Sequence, residues 1–245
     1  MKLFPKTSGW FSGLFAVAFC LLSLSGAKAQ LLWYNGDRDG VDSIFATSTG
    51  GNVGAVYDDF NVTAPTGWDV TGVTGDFRLP DAVTTVSWEI RSGMSAGNGG
   101  TVVESGTSSS LTMTEIAPAN PANDHGPVYQ LSVTGLNFAL GPGTYWLSLV
   151  PDSAAPGYLV TTSGANAIGT PAGNNGNAFY TETSLGIPVD GTTPFESTTT
   201  VASDLSDFTL GVTGTVATPE PSSWALSVFG LGLLVVYLRR RLTRA

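Results

Sequence analysis

The sequence predicts an all-β protein in which two antiparallel sheets pack face to face as a jelly-roll-like β-sandwich. Glycine accounts for 31 of the 245 residues and charged residues for only 12%, a composition typical of short strands and tight turns. Short segments alternate apolar and polar residues, which indicates strands with one buried and one wet face. No helical periodicity of three turns appears before Trp224.

This alternation predicts eleven strands. In Val83–Arg91, for example, Val86, Trp88 and Ile90 share one face, and the polar residues share the other. Turn-forming sequences such as Gly141-Pro142-Gly143 separate the segments. The predicted strands are Leu31–Tyr34, Ala55–Val62, Trp68–Leu79, Val83–Arg91, Thr101–Glu104, Leu111–Ile116, Val128–Thr134, Thr144–Val150, Tyr158–Thr162, Ala178–Thr183 and Phe208–Val216.

Two long segments without a pattern interrupt these strands, Gly164–Gly176 and Ile187–Ser203. Binding residues concentrate on such loops, so we expect a site to include one of them. The second segment is rich in Thr, and disorder or glycosylation is the alternative to a binding role there.

The N-terminus predicts a signal peptide over residues 1–29. Lys2 and Lys6 precede the apolar run Trp10–Leu24, and small residues end at Ala29, where we expect cleavage by signal peptidase. A lipoprotein anchored through Cys20, the single cysteine, is one alternative, and an uncleaved anchor is the other. The β domain is then expected over residues 30–217, without a disulfide.

The C-terminus predicts a second targeting segment over residues 218–245. An apolar run of 15 residues, 224–238, covers about 22 Å as a helix, which is short of a full bilayer core. It is a membrane-spanning helix or a buried core helix. The basic end at 239–245, led by Arg239, Arg240 and Arg241, favours the membrane and keeps the C-terminus in the cytoplasm.

The order of Pro219-Glu220-Pro221, a glycine-containing apolar segment and a basic cluster resembles the PEP-CTERM sorting signal of Gram-negative bacteria. The resemblance implies processing by the membrane protease exosortase and a link to exopolysaccharide production. It implies a membrane-anchored intermediate with the β domain on the periplasmic side, followed by the cell surface or matrix. A plain membrane anchor is the alternative. The stretches "VYDDFNV" and "GLNFALGPGTYWLSL" also resemble β domains of undefined activity that carry such tails.

The middle of the chain is strongly acidic. Between Gln30 and Thr218 there are 18 acidic and three basic residues, a net charge of −15. Such a surface repels nucleic acid, which is bound through Lys and Arg, so we predict no nucleic-acid partner. It tolerates cations, calcium included, although solubility alone also accounts for the charge.

The best metal-binding candidate follows the first predicted strand. Asn35, Asp37 and Asp39 place oxygen ligands at alternate positions before Gly40, as at the start of a calcium loop. The pattern lacks the late Glu of such a loop, and a plain polar turn is the alternative. We predict no other cofactor.

Three further features complete the candidate residues. Asp58 and Asp59 point to opposite faces of a strand, so one can face inward to bind metal or cap a loop. His125, the only histidine, lies in a loop without a nucleophile motif, which argues against a catalytic triad. Trp68 and Trp146 are candidates for glycan contact if their rings are exposed, and core packing is the alternative.

These observations favour an exported, non-enzymatic envelope or matrix protein associated with exopolysaccharide, and no catalytic residue is assigned. A specific carbohydrate-binding module is the first alternative, which an exposed Trp68 or Trp146 beside a groove would favour. A carboxylate-based hydrolase is the second, which two carboxylates converging in a cleft would favour.

Overall fold

A computed structural model describes residues 28–119, 126–173, 175–182, 194–218 and 223–242, without the side chains of 223–229, 234, 235 and 238. The short helix α1 spans Thr198–Val201, and α2 spans Ser223–Leu242. The strands are β1 (Gln30–Tyr34), β2 (Arg38–Phe45), β3 (Ser48–Thr49), β4 (Asn52–Val62), β5 (Trp68–Arg78), β6 (Thr85–Ser92), β7 (Thr101–Ser108), β8 (Leu111–Ala117), β9 (Val128–Leu140), β10 (Gly143–Asp152), β11 (Tyr158–Thr162), β12 (Phe179–Glu182), β13 (Glu196–Ser197) and β14 (Leu210–Val216).

The first sheet is built around β5. On one side β5 pairs antiparallel with β9, which in turn pairs with β8. On its other side β5 pairs first with β14 and then, at its C-terminal end, with β11. β1 lies outside β14 and β2 lies outside β11, so the turn between β1 and β2 crosses from one of these pairs to the other.

The second sheet has the order β13-β12-β4-β3-β10-β6-β7, and β4 also pairs directly with β10. β12 covers only the first half of the free edge of β4, through the register Phe179↔Tyr57 to Glu182↔Gly54. Beyond that point a loop takes over, since the Asn61 N–H donates to the Thr170 carbonyl at 2.7 Å. This change from strand to loop positions the site described below.

The main core lies between the two sheets and follows the predicted alternation. On β4, Val56, Phe60 and Val62 are buried in this core. The Phe60 ring lies 5.4 Å from the Trp33 ring and 5.9 Å from the Trp68 ring, centroid to centroid. Such aromatic pairs contribute about 0.5–1.5 kcal/mol each beyond area burial, so they fix the end of β4 against β1 and β5.

A second, smaller apolar cluster covers part of the outer face of the second sheet. It contains Ala55, Tyr57, Met94, Trp146 and Phe179, with Phe195 packed against it. Residues of β4 at odd positions therefore face this cluster, whereas those at even positions face the main core. The outer face is consequently only partly wet.

The prediction of an all-β, two-sheet sandwich is confirmed. The sequence analysis missed β2, β3 and β13. β3 and β13 have two residues each, and β2 reads "RDGVDSIF", an edge strand whose polar residues do not alternate regularly with apolar ones.

The helix α2 includes the predicted membrane segment 224–238. In the part of the chain that the structure describes, no helix combines the length and the apolar character that a membrane crossing requires. The membrane span at 224–238 stays a prediction. The predicted signal helix lies in residues 1–27, outside the described residues.

Candidate functional site

The three candidate ligands, Asn35 and Asp37 in the turn between β1 and β2 and Asp39 in β2, separate into two groups. Asn35 is buried, and its Nδ2 donates to Asp58 Oδ2 at 2.9 Å. Asp37 accepts hydrogen bonds from the Tyr34 hydroxyl at 3.3 Å and from Asn166 Nδ2 at 2.6 Å. Asp39 Oδ1 accepts from the Val41 N–H at 2.8 Å, and its Oδ2 accepts from Thr161 Oγ1 at 2.6 Å. Two of the three thus stay together, and calcium binding by all three stays a prediction.

Gly36 explains how this turn is held. Its φ is +112°, and a Cβ at this position would lie 2.8 Å from the backbone of Gly164. Only glycine allows the turn to lie directly on the loop that begins at Gly164. The predicted long loop Gly164–Gly176 therefore meets the predicted polar turn.

Asp58 is the inward member of the Asp58–Asp59 pair. It lies on β4 between Val56 and Phe60 and is fully buried. Its Oδ2 also accepts from the backbone N–H of Phe208 at 2.7 Å, and its Oδ1 accepts from the Asp59 N–H at 2.9 Å. Asp58 thereby ties the end of β1 and the approach to β14 to the middle of β4.

Two more carboxylates meet Asp58 at the edge of β4. Asp207 is 1% exposed, and its Oδ2 accepts from the backbone N–H groups of Asn175 and Gly176. Asp59 Oδ1 accepts from Asn175 Nδ2 at 2.8 Å. We call Asn35, Asp58, Asp59 and Asp207 the buried carboxylate cluster. It joins the β1–β2 turn, β4, the Gly164–Gly176 loop and the segment before β14.

Burial raises the pKa of each carboxyl group in this cluster. For Asp58 the pKa is raised well above its usual range, first by loss of solvent and then by the negative charge of Asp207. Loss of solvent also raises the pKa of Asp59 and of Asp207, while hydrogen bonds from neutral amides oppose the rise. Three carboxylates that lie close together and away from water require a bound proton or cation to offset their negative charge.

Asp37 and Asp39 instead line an open depression of about 440 Å³ on the first sheet. Its deepest carboxylate is Asp76, which is 3% exposed. Loss of solvent raises the pKa of Asp76 to about 6, against the opposing effects of Gln130 and Arg38. We call this surface the acidic depression, and its lining residues are Tyr34, Asp37, Arg38, Asp39, Asp76, Ile116 and Gln130.

A third feature is a groove of about 410 Å³ on the outer face of the second sheet. Glu89 lies in it, held by the Tyr57 hydroxyl at 2.5 Å and by Arg91 Nε and Nη2 at 2.9 and 3.0 Å. The buried Ser148 Oγ has no partner among the described residues. We call this surface the hydroxyl groove, because its other polar lining side chains are those of Ser48, Ser87, Ser105 and Thr107.

Neither tryptophan predicted to contact glycan is exposed. Trp68 is 5% exposed and stacks on Phe60, and Trp146 is 6% exposed. Trp146 does point away from the main core, but Met94 and Phe179 cover it, and its Nε1 donates to the Asn177 carbonyl at 3.1 Å. An exposed tryptophan platform is therefore not provided by these two positions, and their glycan contact stays a prediction.

His125 and the sorting residues Pro219, Glu220 and Pro221 lie outside the described residues. Arg239, Arg240 and Arg241 form the exposed last turn of α2. Within the described residues, no three His, Cys, Asp or Glu side chains are arranged to hold a metal ion. Any metal site there must therefore combine fewer carboxylates with other oxygens.

Two site residues were not predicted from the sequence: Asp76 of the acidic depression and Asp207 of the buried carboxylate cluster. Asp76 occupies an ordinary polar position of β5, and Asp207 lies just before a strand. The strand pattern around them identifies neither residue, because their partners come from other strands: Gln130 is 54 positions from Asp76, and Asp58 is 149 positions from Asp207.

The architecture defines an all-β sandwich followed by a C-terminal helix with a basic end. Residues 217–241 match the PEP-CTERM protein-sorting motif, so the predicted recognition is confirmed and extends over the basic residues. The motif implies an exported protein that exosortase processes at the membrane. No curated protein matches the chain significantly.

Proposed function

We propose that this chain is a non-enzymatic protein of the cell envelope or extracellular matrix, associated with exopolysaccharide after sorting. The observation that carries the proposal is the sorting motif at residues 217–241. The exported β-sandwich has few Lys and Arg residues on its surface. Such a surface suits a hydrated polymer matrix better than it suits nucleic acid, which is bound through positive charges. Signal peptidase and exosortase are its processing partners.

The hydrogen bonds of the half-buried carboxylates in the acidic depression and the hydroxyl groove support the non-enzymatic role. Both oxygens of Asp37 and both oxygens of Asp39 accept hydrogen bonds from neighbouring groups. Both oxygens of Glu89 are likewise occupied, by Arg91 and Tyr57. Carboxylates used in this way stabilise turns and strands, whereas a general acid or base must reach a substrate.

Fractionation of a Gram-negative host that makes exopolysaccharide and carries an exosortase tests the sorting step. We expect the wild-type β domain in the polymer and medium fractions. The triple variant Pro219→Ala, Glu220→Ala and Pro221→Ala should stay in the membrane fraction, as should the wild type in a strain without exosortase. Pro65→Ala, an exposed proline in the β domain, is the matched control. Equal release of the triple variant would contradict the proposal.

The non-enzymatic part has its own test. The purified chain is incubated with the host exopolysaccharide, and new reducing ends are counted. We expect no increase over a heat-denatured sample. A time-dependent increase that Asp76→Asn abolishes would instead support the hydrolase alternative, with its carboxylates in the acidic depression.

Specific carbohydrate binding is the second candidate, and the hydroxyl groove favours it. A polyhydroxylated ligand needs hydrogen-bond partners along a concave surface, which the groove supplies through the exposed hydroxyls of Ser87, Ser105 and Thr107. The Glu89 carboxylate is neutralised by Arg91, so the groove suits a neutral or weakly charged glycan.

Co-sedimentation with the host exopolysaccharide tests this candidate. We expect saturable binding by the wild type and a loss of about tenfold in Thr107→Val, since the valine removes an exposed hydroxyl of the groove while it keeps the same shape. Thr114→Val, on β8 of the other sheet, is the control. Equal binding by both variants would exclude the groove as the contact surface.

A further inference from the structure

We propose that Asn35, Asp58 and Asp207 hold a hard divalent cation, calcium, at the edge of the sandwich interior. The inference is independent of the sorting motif and of the hydroxyl groove. It moves the metal site from the β1–β2 turn to the buried carboxylate cluster, and it keeps only Asn35 from the pattern in the sequence.

The first argument is the set of buried oxygens that have unused acceptor capacity. Asn35 is 1% exposed, and its Oδ1 has no hydrogen-bond partner among the described residues. The same holds for Oδ1 of Asp207, which is also 1% exposed. A buried acceptor without a partner loses the hydrogen bonds that it would make to water, so two of them beside one carboxylate require a common explanation.

The second argument is where these oxygens lie. Asn35 Nδ2 donates a hydrogen bond to Asp58. The Oδ1 atom belongs to the same buried carboxamide, so it also lies near the Asp58 carboxylate. Asp207 immediately precedes Phe208, whose N–H donates to Asp58 Oδ2 at 2.7 Å, so the chain brings the Asp207 carboxylate next to Asp58. The unpartnered oxygens therefore belong to the same cluster as the Asp58 carboxylate, whose Oδ1 has a single hydrogen bond.

The third argument is charge. Among the described residues, the groups that donate hydrogen bonds to Asp58 and Asp207 are neutral: the Asn35 amide, the Ser206 hydroxyl and backbone N–H groups of Asp59, Asn175, Gly176 and Phe208. Neutral donors do not cancel two buried negative charges, whereas one bound divalent cation does. It would also satisfy both unpartnered oxygens in one step.

The chemistry selects calcium among the divalent cations. The ligands of the proposed site are the oxygens of two carboxylates and one carboxamide, without a thiolate or an imidazole. Hard cations prefer such oxygen ligands. Calcium accepts six to eight oxygens in flexible geometry, so backbone carbonyls and water can complete its shell, whereas magnesium demands a near-ideal octahedron.

Thermal unfolding of the full chain in detergent micelles at pH 7, followed by near-ultraviolet circular dichroism, tests the proposal. Calcium at 100 times its dissociation constant should raise the unfolding midpoint by about 5 °C or more relative to chelator. Magnesium at the same concentration should raise it less. Calorimetric titration of the wild type with calcium alone should give one site per chain, a readout that needs no variant.

Variants locate the site. Asp207→Asn keeps the shape of the side chain and should weaken calcium binding at least tenfold. Asp69→Asn, an exposed position on β5, should leave binding unchanged. Absence of any calcium shift in the wild type would overturn the proposal in favour of a proton shared by Asp58 and Asp207. Loss of the shift in Asp39→Asn but not in Asp207→Asn would overturn it in favour of the acidic depression.

Discussion

The β1–β2 turn contributes residues to two groups of carboxylates that differ in their access to solvent and in the charges around them. Asn35 enters the buried carboxylate cluster, where Asp58 is fully buried and Asp207 nearly so. Asp37 and Asp39 enter the acidic depression, which is open to solvent and contains Arg38. In the buried carboxylate cluster the acids need a compensating positive charge. In the acidic depression, water and Arg38 already offset part of the negative charge. The same polar turn therefore contributes to a candidate metal site and to an ordinary polar surface.

The largest effect that separates the two groups is expected for Asp58→Ala. The substitution leaves Asn35 Nδ2 and the N–H groups of Asp59 and Phe208 without their acceptor, so we expect a loss of about 3–5 kcal/mol in the free energy of unfolding. Urea unfolding at pH 7 with calcium measures it. Asp69→Ala, an exposed control, should change stability by less than about 0.5 kcal/mol. Equal effects would show that Asp58 does not hold the three segments together.

A smaller effect of opposite sign is expected for Asp76→Asn in the acidic depression. Burial raises the pKa of Asp76 to about 6 in the folded protein, from about 3.9 for an exposed aspartate. Its contribution to stability is therefore complete below about pH 4 and is lost as the pH rises through 6. Asn cannot ionise and can still accept from Gln130, so the variant should be more stable than the wild type by about 1–3 kcal/mol at pH 7.

The pH dependence provides the internal control for that prediction. At pH 4 both the wild type and Asp76→Asn are neutral at this position, so their free energies of unfolding should agree. Urea unfolding at pH 4, 5, 6 and 7 measures the difference. A variant that is less stable than the wild type at pH 7 would show that Arg38 and Gln130 compensate the Asp76 charge fully.

The smallest effect is expected for Asp39→Ala. Asp39 Oδ1 closes a local turn with the Val41 N–H, and its Oδ2 accepts from Thr161 on β11. Because the position is half-buried and the Val41 N–H can turn to water, we expect a loss of about 1 kcal/mol. Urea unfolding in chelator and in calcium should give the same value. A loss that appears only in calcium would mean that Asp39 is a metal ligand.

The sequence predicted the sandwich because alternation along a strand reports which face is buried. It also placed Asp58 and Asp59 on opposite faces correctly, since that relation is local. Trp146 shows the limit: its direction away from the main core was predictable, but its cover by Met94 and Phe179 depends on contacts that are distant in sequence. β2 was missed because its polar residues serve the turn and the depression rather than a core face.

The candidate site was predictable only in part, for the same reason. The turn and the long loop were identified by their composition, and the close contact of Gly36 with Gly164 confirms that they meet. The partners Asp58 and Asp207 come from β4 and from the segment before β14, 23 and 172 positions beyond Asn35 in the numbering. No local pattern encodes that convergence, which arises from strand order.

One measurement tests the distinction between the two carboxylate groups most directly. The unfolding midpoints of Asp207→Asn and Asp76→Asn are compared with that of the wild type at pH 7, once in calcium and once in chelator. We predict that Asp207→Asn is less stable than the wild type in calcium and at least as stable in chelator, because it loses a ligand in one case and a repelling charge in the other. Asp76→Asn should be more stable in both. Effects of Asp207→Asn that do not depend on calcium would contradict the account.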